Sequence, residues 1–318
     1  MSASISVRVG AISEVVPGIK EFSLSRPDGA PLPSYSGGSH VLVTLPGASR
    51  AHRNSYSLMG DPSRTDAYRI AVRRHAGSRG GSRVLHEQVE VGTPLTISHP
   101  LNLFPIARLG RKHILVAGGI GVTPIIAQAH DLARRGADFE VHYAFRAPDQ
   151  AAYADVLRDL AGTRLHRYCT ASGERIDFRG MLADQPIGTH LYVCGPVNFI
   201  DAARSAARAH RWPSSHIHSE QFLSPPVGSA FEVHLARSGR RIAVAPDISL
   251  LEAIEQAGVA APQSCRGGAC GQCETEVMEA DGQIAHHDVY LSEADKAAGR
   301  KIMLCVSRLQ GRRLVLNL

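Results

Sequence analysis

The chain of 318 residues is long enough for two or three domains, each with its own apolar core. Hydrophobic residues make up 44% of it, yet no apolar run approaches the roughly 18 residues that a membrane-spanning helix needs. The formal charge of +6 comes from scattered arginines rather than from a basic run. We therefore expect neither nucleic acid nor a membrane among its partners.

Cysteine usage and the N-terminal sequence suggest the compartment. The first ten residues lack the basic start and apolar centre of a secretory signal. Six cysteines, four of them in one patterned set, favour metal or cluster ligation in a reducing environment over a disulfide framework. We expect a cytoplasmic monomer.

Residues 1–104 read as short strands separated by turns, a pattern typical of an antiparallel barrel or sandwich. The strand predictions in this stretch are Ser4–Val9, Ile19–Ser25, His40–Leu45, Tyr68–Arg73 and Thr93–Ser98.

Three polar segments of this first domain offer what flavin mononucleotide (FMN) needs: an aromatic wall, polar groups near the ring edge and a phosphate site. In chain order they are Arg53-Asn54-Ser55-Tyr56-Ser57, Ala71-Val72-Arg73-Arg74 and Ser78-Arg79-Gly80-Gly81-Ser82-Arg83. Each segment alone is a weak signal, since Arg53 in isolation reads as a surface arginine and Gly80-Gly81 as a loop.

From residue 105 to residue 226 the pattern changes to strand, glycine turn, helix and strand, which predicts a parallel sheet covered by helices. The predicted strand Arg111–Ala117 enters the turn Gly118–Gly121 and then the helix Thr123–Arg135, with Thr123 suited to the N-cap. Unpaired N–H groups at this helix start favour a pyrophosphate. The motif lacks the third glycine of the dinucleotide fingerprint, so a turn without a ligand stays open.

A second strand-to-helix junction, Cys194-Gly195-Pro196, follows the apolar strand His190–Cys194. It should lie at the carboxyl edge of the same sheet, where open α/β folds bind ligands, and it therefore favours a nicotinamide nucleotide. Cys194 alone reads equally as a core cysteine, and Cys169 only as one. Arg146 follows the strand Phe139–Phe145 and suits a ribose, a 2′-phosphate or water, so the choice between NADH and NADPH stays open.

The segment Leu223–Ser229 contains Pro225 and Pro226 and reads as a linker to a third domain at residues 229–318. That domain carries cysteines with the C-x4-C-x2-C spacing of plant-type [2Fe–2S] proteins and a distant fourth. The four are Cys265, Cys270, Cys273 and Cys305. Four thiolates also bind zinc, but zinc sites usually use two short C-x2-C pairs, so we favour the cluster.

In their order along the chain, these motifs resemble those of the phthalate dioxygenase reductase family, including the vanillate demethylase reductases, over almost the full length. The resemblance rests on Tyr56-Ser57-Leu58, Gly80-Gly81-Ser82, Gly118–Pro124, Cys194-Gly195-Pro196, Glu220-Gln221-Phe222, the cysteine loop and Cys305-Val306-Ser307-Arg308. It implies an antiparallel split β-barrel for FMN at 1–104, a parallel-sheet α/β domain for NAD(P) at 105–226 and a β-grasp ferredoxin domain at 229–318. It also implies FMN rather than FAD.

Carried over residue by residue, the resemblance gives three residues a place at the reacting rings. Thr123 should face flavin and nicotinamide, Cys194 should lie near the hydride-donating carbon, and Phe222 should cover the flavin until nicotinamide displaces it. The remaining cofactor contacts that we expect are Arg53, Asn54, Ser55, Tyr56, Ser57, Ala71, Val72, Arg73, Gly80, Gly81, Ser82, Gly119, Gly121, Arg146, Gly195 and Pro196. The family usually has Arg-x-Tyr-Ser, whereas Asn54 holds the arginine position here, so the phosphate role of Arg53 is open.

The hypothesis that follows is the reductase component of a two-component oxygenase, with electrons passing from NAD(P)H through FMN and a [2Fe–2S] cluster to the terminal oxygenase. By resemblance, that oxygenase is a Rieske-type aromatic oxygenase or demethylase. A flavin is needed because a hydride carries two electrons whereas the cluster accepts one. The alternative from another class is a redox sensor or adaptor that holds flavin and cluster but turns over slowly.

Overall fold

The computed structural model describes residues 4–45, 52–75, 80–223 and 227–318. The chain divides into two compact units, Met1–Gln221 and Phe222–Leu318. The predicted linker residues Pro225 and Pro226, and Ser78-Arg79 of the predicted phosphate segment, lie outside the described residues. Within the described ranges no helix is both long and apolar enough to cross a membrane.

The first unit begins with an antiparallel sheet. Its elements are β1 (Ser4–Val16), β2 (Ile19–Ser25), β3 (Ser39–Leu45), β4 (His52–Ser57), β5 (Tyr68–Arg73), α1 (Gly81–Glu87), β6 (Pro94–Ser98) and β7 (Leu101–Asn102). The strands follow the order β4-β3-β6-β1-β2-β5, with β7 paired to β3. Alternating residues of β1 (Ile5, Val7 and Val9) are buried, as expected for a strand with one face on the core.

Strand β4 is an element that the sequence did not predict. Its residues His52-Arg53-Asn54-Ser55-Tyr56-Ser57 are mostly polar, and only Tyr56 has a strong strand preference. Pairing with the apolar strand β3 supplies the hydrogen bonds that make the segment extended. The flavin motif therefore lies within an edge strand, which its polar sequence alone does not predict.

The rest of the first unit is a parallel sheet with helices between its strands. Its elements are β8 (Lys112–Gly118), α2 (Val122–Arg134), β9 (Phe139–Phe145), α3 (Ala154–Ala161), β10 (Leu165–Cys169), α4 (Phe178–Leu182), β11 (Thr189–Cys194), α5 (Val197–Ala209) and β12 (Ile217–Glu220). The order β10-β9-β8-β11-β12 is parallel throughout. One face packs on α2 and α3, and the other packs on α4 and α5.

The N-cap predicted for α2 is wrong. A single 3-10 turn over Gly119–Gly121 starts the helix early, so Gly121 is the N-cap and Thr123 is already helical. The Thr123 hydroxyl instead donates to the carbonyl oxygen of Ile120 at 3.1 Å. This hydrogen bond fastens the glycine turn to the start of α2.

The second unit has a mixed sheet around its own core. Its elements are β13 (Phe231–Leu235), β14 (Arg240–Val244), α6 (Leu250–Gln256), β15 (Glu274–Ala280), β16 (Gln283–Ala285), α7 (Glu293–Ala298), β17 (Lys301–Met303), β18 (Arg308–Gln310) and β19 (Arg313–Leu316). The sheet order is β14-β13-β19-β15-β17, with β13 and β19 parallel, and β16 pairs with β18. Helix α6 packs on this sheet, which is the β-grasp arrangement expected.

Candidate functional site

The two strand-to-helix junctions of the parallel sheet meet at one edge. A Cβ atom added to Gly121 would lie 2.3 Å from the carbonyl oxygen of Cys194, so only glycine allows the two backbones to come this close. Gly195 is similarly confined, because its added Cβ would lie 2.9 Å from Phe199 and 3.2 Å from the Cα of Gly118. Strand β5 lies close to the same turn. The structure therefore brings the predicted nicotinamide junctions together beside the antiparallel sheet.

A hydroxyl, a thiol and a carboxyl group converge at this edge. Cys194 and Glu220 are directly paired across β11 and β12, and the hydroxyl of Ser57 donates to Glu220 Oε2 at 3.4 Å. Cys194 is fully buried, and burial raises the pKa of its thiol well above the ordinary value. This thiol is neutral at physiological pH, so it offers a small uncharged surface and not a nucleophile.

Glu220 is a candidate site residue that the sequence-based site predictions did not include. Desolvation raises the pKa of this carboxyl to about 8, although the hydrogen bond from Ser57 acts in the opposite direction. Glu220 therefore holds a proton near neutral pH, within reach of Ser57. Its position in Glu220-Gln221-Phe222 was the available signal, because a carboxyl group at the end of a parallel strand faces the ligand edge.

Strand β4 presents two different faces. Arg53 and Ser55 are exposed, whereas Asn54 and Tyr56 alternate with them and are partly buried on the other face. The Tyr56 hydroxyl is buried without a hydrogen-bond partner, and burial raises the pKa of this phenol. A buried phenol hydroxyl on the same face as Asn54 fits the edge of a flavin ring.

The predicted phosphate segment packs on that same inner face, and Gly81 and Ser82 begin helix α1 rather than belonging to a loop. A Cβ atom added to Gly80 would lie 2.5 Å from the His52 ring, and one added to Gly81 would lie 2.5 Å from the Asn54 amide nitrogen. Gly80 has a φ of 125°, which side chains rarely adopt. Arg53 belongs to the opposite face of β4, so His52 and Asn54 are the polar side chains next to the loop.

The other predicted contacts are placed as follows. Ala71 and Val72 are buried near the end of β5, and Arg73 is exposed. Ser82 is buried, and its hydroxyl accepts from the His75 N–H at 3.4 Å. Arg146 is exposed directly after β9.

Two further predicted contacts are surface residues. Pro196 is the exposed N-cap of α5. Phe222 is the first residue of the second unit and is 48% exposed. The roles assigned to these side chains stay predictions.

The four patterned cysteines come together in the second unit. Cys273 and Cys305 have their sulfur atoms 3.2 Å apart, and Cys265, Cys273 and Cys305 are buried whereas Cys270 is partly exposed. All six cysteines of the chain are among the described residues, and none of them forms a disulfide. The Gly267 N–H points at the Cys265 sulfur at 3.4 Å, as in cluster loops where backbone donors surround the sulfurs. This donor set fits a [2Fe–2S] cluster.

An ion pair fixes the cysteine loop to α6. Arg266 donates to both carboxylate oxygens of Glu255 at 2.8 Å each, and the arginine side chain is only 6% exposed. Arg266 also has a φ of 52° in the left-handed region, which costs backbone energy. A buried two-point ion pair offsets this cost and holds the loop in its bent shape.

The fold and these two sites define a flavin- and iron–sulfur-dependent reductase. Family comparisons agree. Residues 101–217 match the N-terminal domain of dimethylamine monooxygenase subunit DmmA-like proteins, and residues 233–310 match the 2Fe-2S iron–sulfur cluster binding domain. The cysteine loop is therefore a [2Fe–2S] site and not a zinc site.

Whole-chain relatives extend this match. The chain is 46% identical to the heme-dependent oxidative N-demethylase beta subunit of Ectopseudomonas mendocina, over 100% of both chains. It is 37% identical to a vanillate O-demethylase oxidoreductase of Pseudomonas sp., over 99% of this chain and 100% of that one. The solved structure of phthalate dioxygenase reductase superposes with a TM-score of 0.88 at 32% identity, covering 99% of this chain and 98% of the other.

The chain belongs to the family of oxygenase reductases that includes phthalate dioxygenase reductase and vanillate O-demethylase oxidoreductase. Its function is to pass electrons to the oxygenase component of a two-component system, and FMN, a [2Fe–2S] cluster and a pyridine nucleotide are its cofactors. The resemblance, the fold class and the reductase activity predicted from the sequence are confirmed. The comparisons favour this activity over the redox-sensor alternative.

The raised pKa of Glu220 predicts a pH-dependent stability. The folded protein keeps the proton up to about pH 8, whereas the unfolded chain releases it near pH 4.3, so the free energy of unfolding falls as pH rises through this window. Glu220→Gln keeps a neutral side chain and should remove this slope. The melting temperature of wild type should therefore fall more steeply than that of the variant between about pH 5 and about pH 8.

The exposed Glu90→Gln variant is the matched control and should keep the wild-type slope. Parallel curves for wild type and Glu220→Gln would show that Glu220 is ionised in the folded protein.

Proposed function

We propose that the oxygenase served by this reductase is heme-dependent and removes a methyl group from an amine. The observation that carries the proposal is the 46% identity, over the whole of both chains, to a beta subunit of a heme-dependent oxidative N-demethylase. The match of residues 101–217 to a dimethylamine monooxygenase subunit family points to the same substrate class. The vanillate O-demethylase relative, at 37% identity, supports a Rieske-type aromatic partner as the alternative.

At the proposed nicotinamide site the side chains have two tasks, which are to position the cofactors and to hold a proton. When bound, FMN supplies the conversion between a two-electron hydride donor and one-electron acceptors. Ser57 and Glu220 hold a proton at the carboxyl edge, and this proton is available to balance charge as electrons arrive. Cys194 and Thr123 line that edge as small buried groups that exclude water.

The phosphate of FMN is proposed to lie against α1. The Gly80-Gly81-Ser82 backbone, His52 and Asn54 are the groups that support this position, since they share the inner face of β4. Asn54 holds the position of the family arginine, and His52 brings a second polar ring to the loop. On this proposal Arg53 is not one of the groups beside this segment, because it lies on the opposite face of β4 from His52 and Asn54.

The predicted domain limits, compartment and oligomeric state belong to the same proposal. The change from antiparallel to parallel sheet supports a boundary near residues 104 and 105 within the first unit. The absence of disulfides among the six described cysteines supports a reducing, cytoplasmic location. We propose a monomer that meets its oxygenase through the ferredoxin domain.

Loss of the cluster should separate two activities. Cys273→Ser removes a buried cluster ligand of the second unit while leaving the first unit unchanged. NAD(P)H oxidation with ferricyanide should stay within about twofold of wild type, whereas cytochrome c reduction should fall by at least about a hundredfold, because only the cluster passes single electrons outward. Both rates are measured by steady-state absorbance.

Cys169→Ser is the matched control, since it also replaces a buried cysteine, but one outside the cluster loop. It should keep both activities. Equal loss of both activities in Cys273→Ser would contradict the proposed order of electron transfer.

Reconstitution tests the proposed partner. Holoprotein is mixed with the remaining subunits of the Ectopseudomonas mendocina N-demethylase, with NAD(P)H and dimethylamine, and formaldehyde is measured. The same preparation is tested with the oxygenase of a vanillate O-demethylase. We expect the amine system to form formaldehyde, coupled to nicotinamide consumption. Its rate should be at least about tenfold higher than the rate with vanillate, which corresponds to about 1.4 kcal/mol in activation free energy. If only the vanillate system formed product while cytochrome c reduction stayed normal, the proposal of a heme-dependent partner would be wrong. The assignment as a reductase would still hold.

A further inference from the structure

Glu140, His142 and His166 stand side by side on one face of the parallel sheet, and the nicotinamide chemistry uses none of them. His142 on β9 is directly opposite His166 on β10, and Glu140 lies two residues before His142 on the same face of β9. One carboxylate oxygen and two ring nitrogens from these residues all lie within 4.8 Å of one another. Their backbones are fixed by strand pairing and not by loops.

The separation of two of these groups already matches metal coordination. Glu140 Oε1 and His142 Nε2 are 3.3 Å apart. Two ligands at about 2.0–2.1 Å from a tetrahedral ion stand about 3.4 Å from each other. The His166 ring is stacked 4.6 Å from the His142 ring and is exposed, and one of its nitrogens lies within 4.8 Å of the ligand atoms of Glu140 and His142.

Glu140 and His142 each have a second polar atom, and each of these atoms has a neighbouring polar partner. The Tyr168 hydroxyl lies 2.9 Å from His142 Nδ1, and the Lys112 ammonium lies 3.0 Å from Glu140 Oε2. Lys112 also donates to Gln185 at 3.0 Å, which keeps its charge on the far side of the carboxylate. Protein metal sites orient their ligands in this way, with the second atom of each ligand bound to a fixed group.

We propose that Glu140, His142 and His166 bind a divalent transition-metal ion, with water in the fourth position. Two imidazoles and one carboxylate suit Zn²⁺, and they also suit Cu²⁺ or Ni²⁺. The bound ion joins the edge strand β10 to β9, and its effect is therefore expected in the stability of that edge. This site is independent of the proposed oxygenase partner.

The Lys112 ammonium opposes a cation at this site, because it lies 3.0 Å from Glu140 Oε2. Its positive charge competes with a metal ion for the carboxylate, and Lys112→Met should therefore tighten metal binding.

The competing interpretation is a hydrogen-bond network with no ion, in which His142 accepts from Tyr168 and donates to Glu140. Calorimetric titration of tag-free holoprotein with ZnCl₂ separates the two. We expect one Zn²⁺ per chain, with affinity reduced at least about tenfold in His166→Gln and in Glu140→Gln. His99→Gln replaces an exposed histidine elsewhere and should bind as wild type does.

Amide hydrogen exchange provides a second measurement that does not depend on enzyme activity. Zn²⁺ should slow exchange in β10 of wild type and of His99→Gln, but not in His166→Gln. The visible spectrum of the [2Fe–2S] cluster, recorded before and after titration, shows that the cysteines kept their iron. Absence of stoichiometric uptake, or equal uptake by wild type and His166→Gln, would overturn the site.

Discussion

The close contact between Gly121 and the carbonyl oxygen of Cys194 is the constraint on which the proposed nicotinamide site depends. A side chain at residue 121 would separate the two turns, because its Cβ would stand 2.3 Å from that oxygen. With the turns together, the ends of β8 and β11 form one edge. Glu220 on β12 and Ser57 on β4 then meet at that edge through a hydrogen bond.

The protein contributes position and electrostatics to this reaction, and its cofactors contribute the redox chemistry. The environment of Glu220 illustrates this. In water a glutamate is ionised at neutral pH, but at this edge desolvation keeps the proton on the carboxyl. A neutral carboxyl and a neutral thiol beside each other leave this edge without fixed negative charge, which suits the proposed dinucleotide. The same residues would repel the ligand if both were ionised.

How much the sequence predicted depends on how local each feature is. The cysteine loop could be identified because Cys265, Cys270 and Cys273 bind one cluster from within a single loop. Strand β9 was predicted with its observed limits because its apolar residues need no partner to be recognised. The raised pKa of Glu220 could not be predicted this way, since it depends on burial against other strands.

Strand β4 and the start of α2 show that local sequence preference also fails to predict some secondary structure. The polar segment His52–Ser57 becomes a strand only through its pairing with β3, and this pairing also decides that Arg53 faces outward. Thr123 has the chemistry of an N-cap, but the turn at Gly119–Gly121 starts the helix before it. The formation of β4 and the start of α2 depend on contacts between segments. The preferences of single residues do not predict such contacts.

The central claim is that one chain carries electrons from a nicotinamide to the cluster held by Cys265, Cys270, Cys273 and Cys305. Anaerobic addition of one equivalent of NADH or NADPH to oxidised holoprotein, followed by low-temperature electron paramagnetic resonance, tests it directly. We predict the signal of a reduced [2Fe–2S] cluster in wild type. Bleaching of the flavin absorbance without any cluster signal would contradict the account.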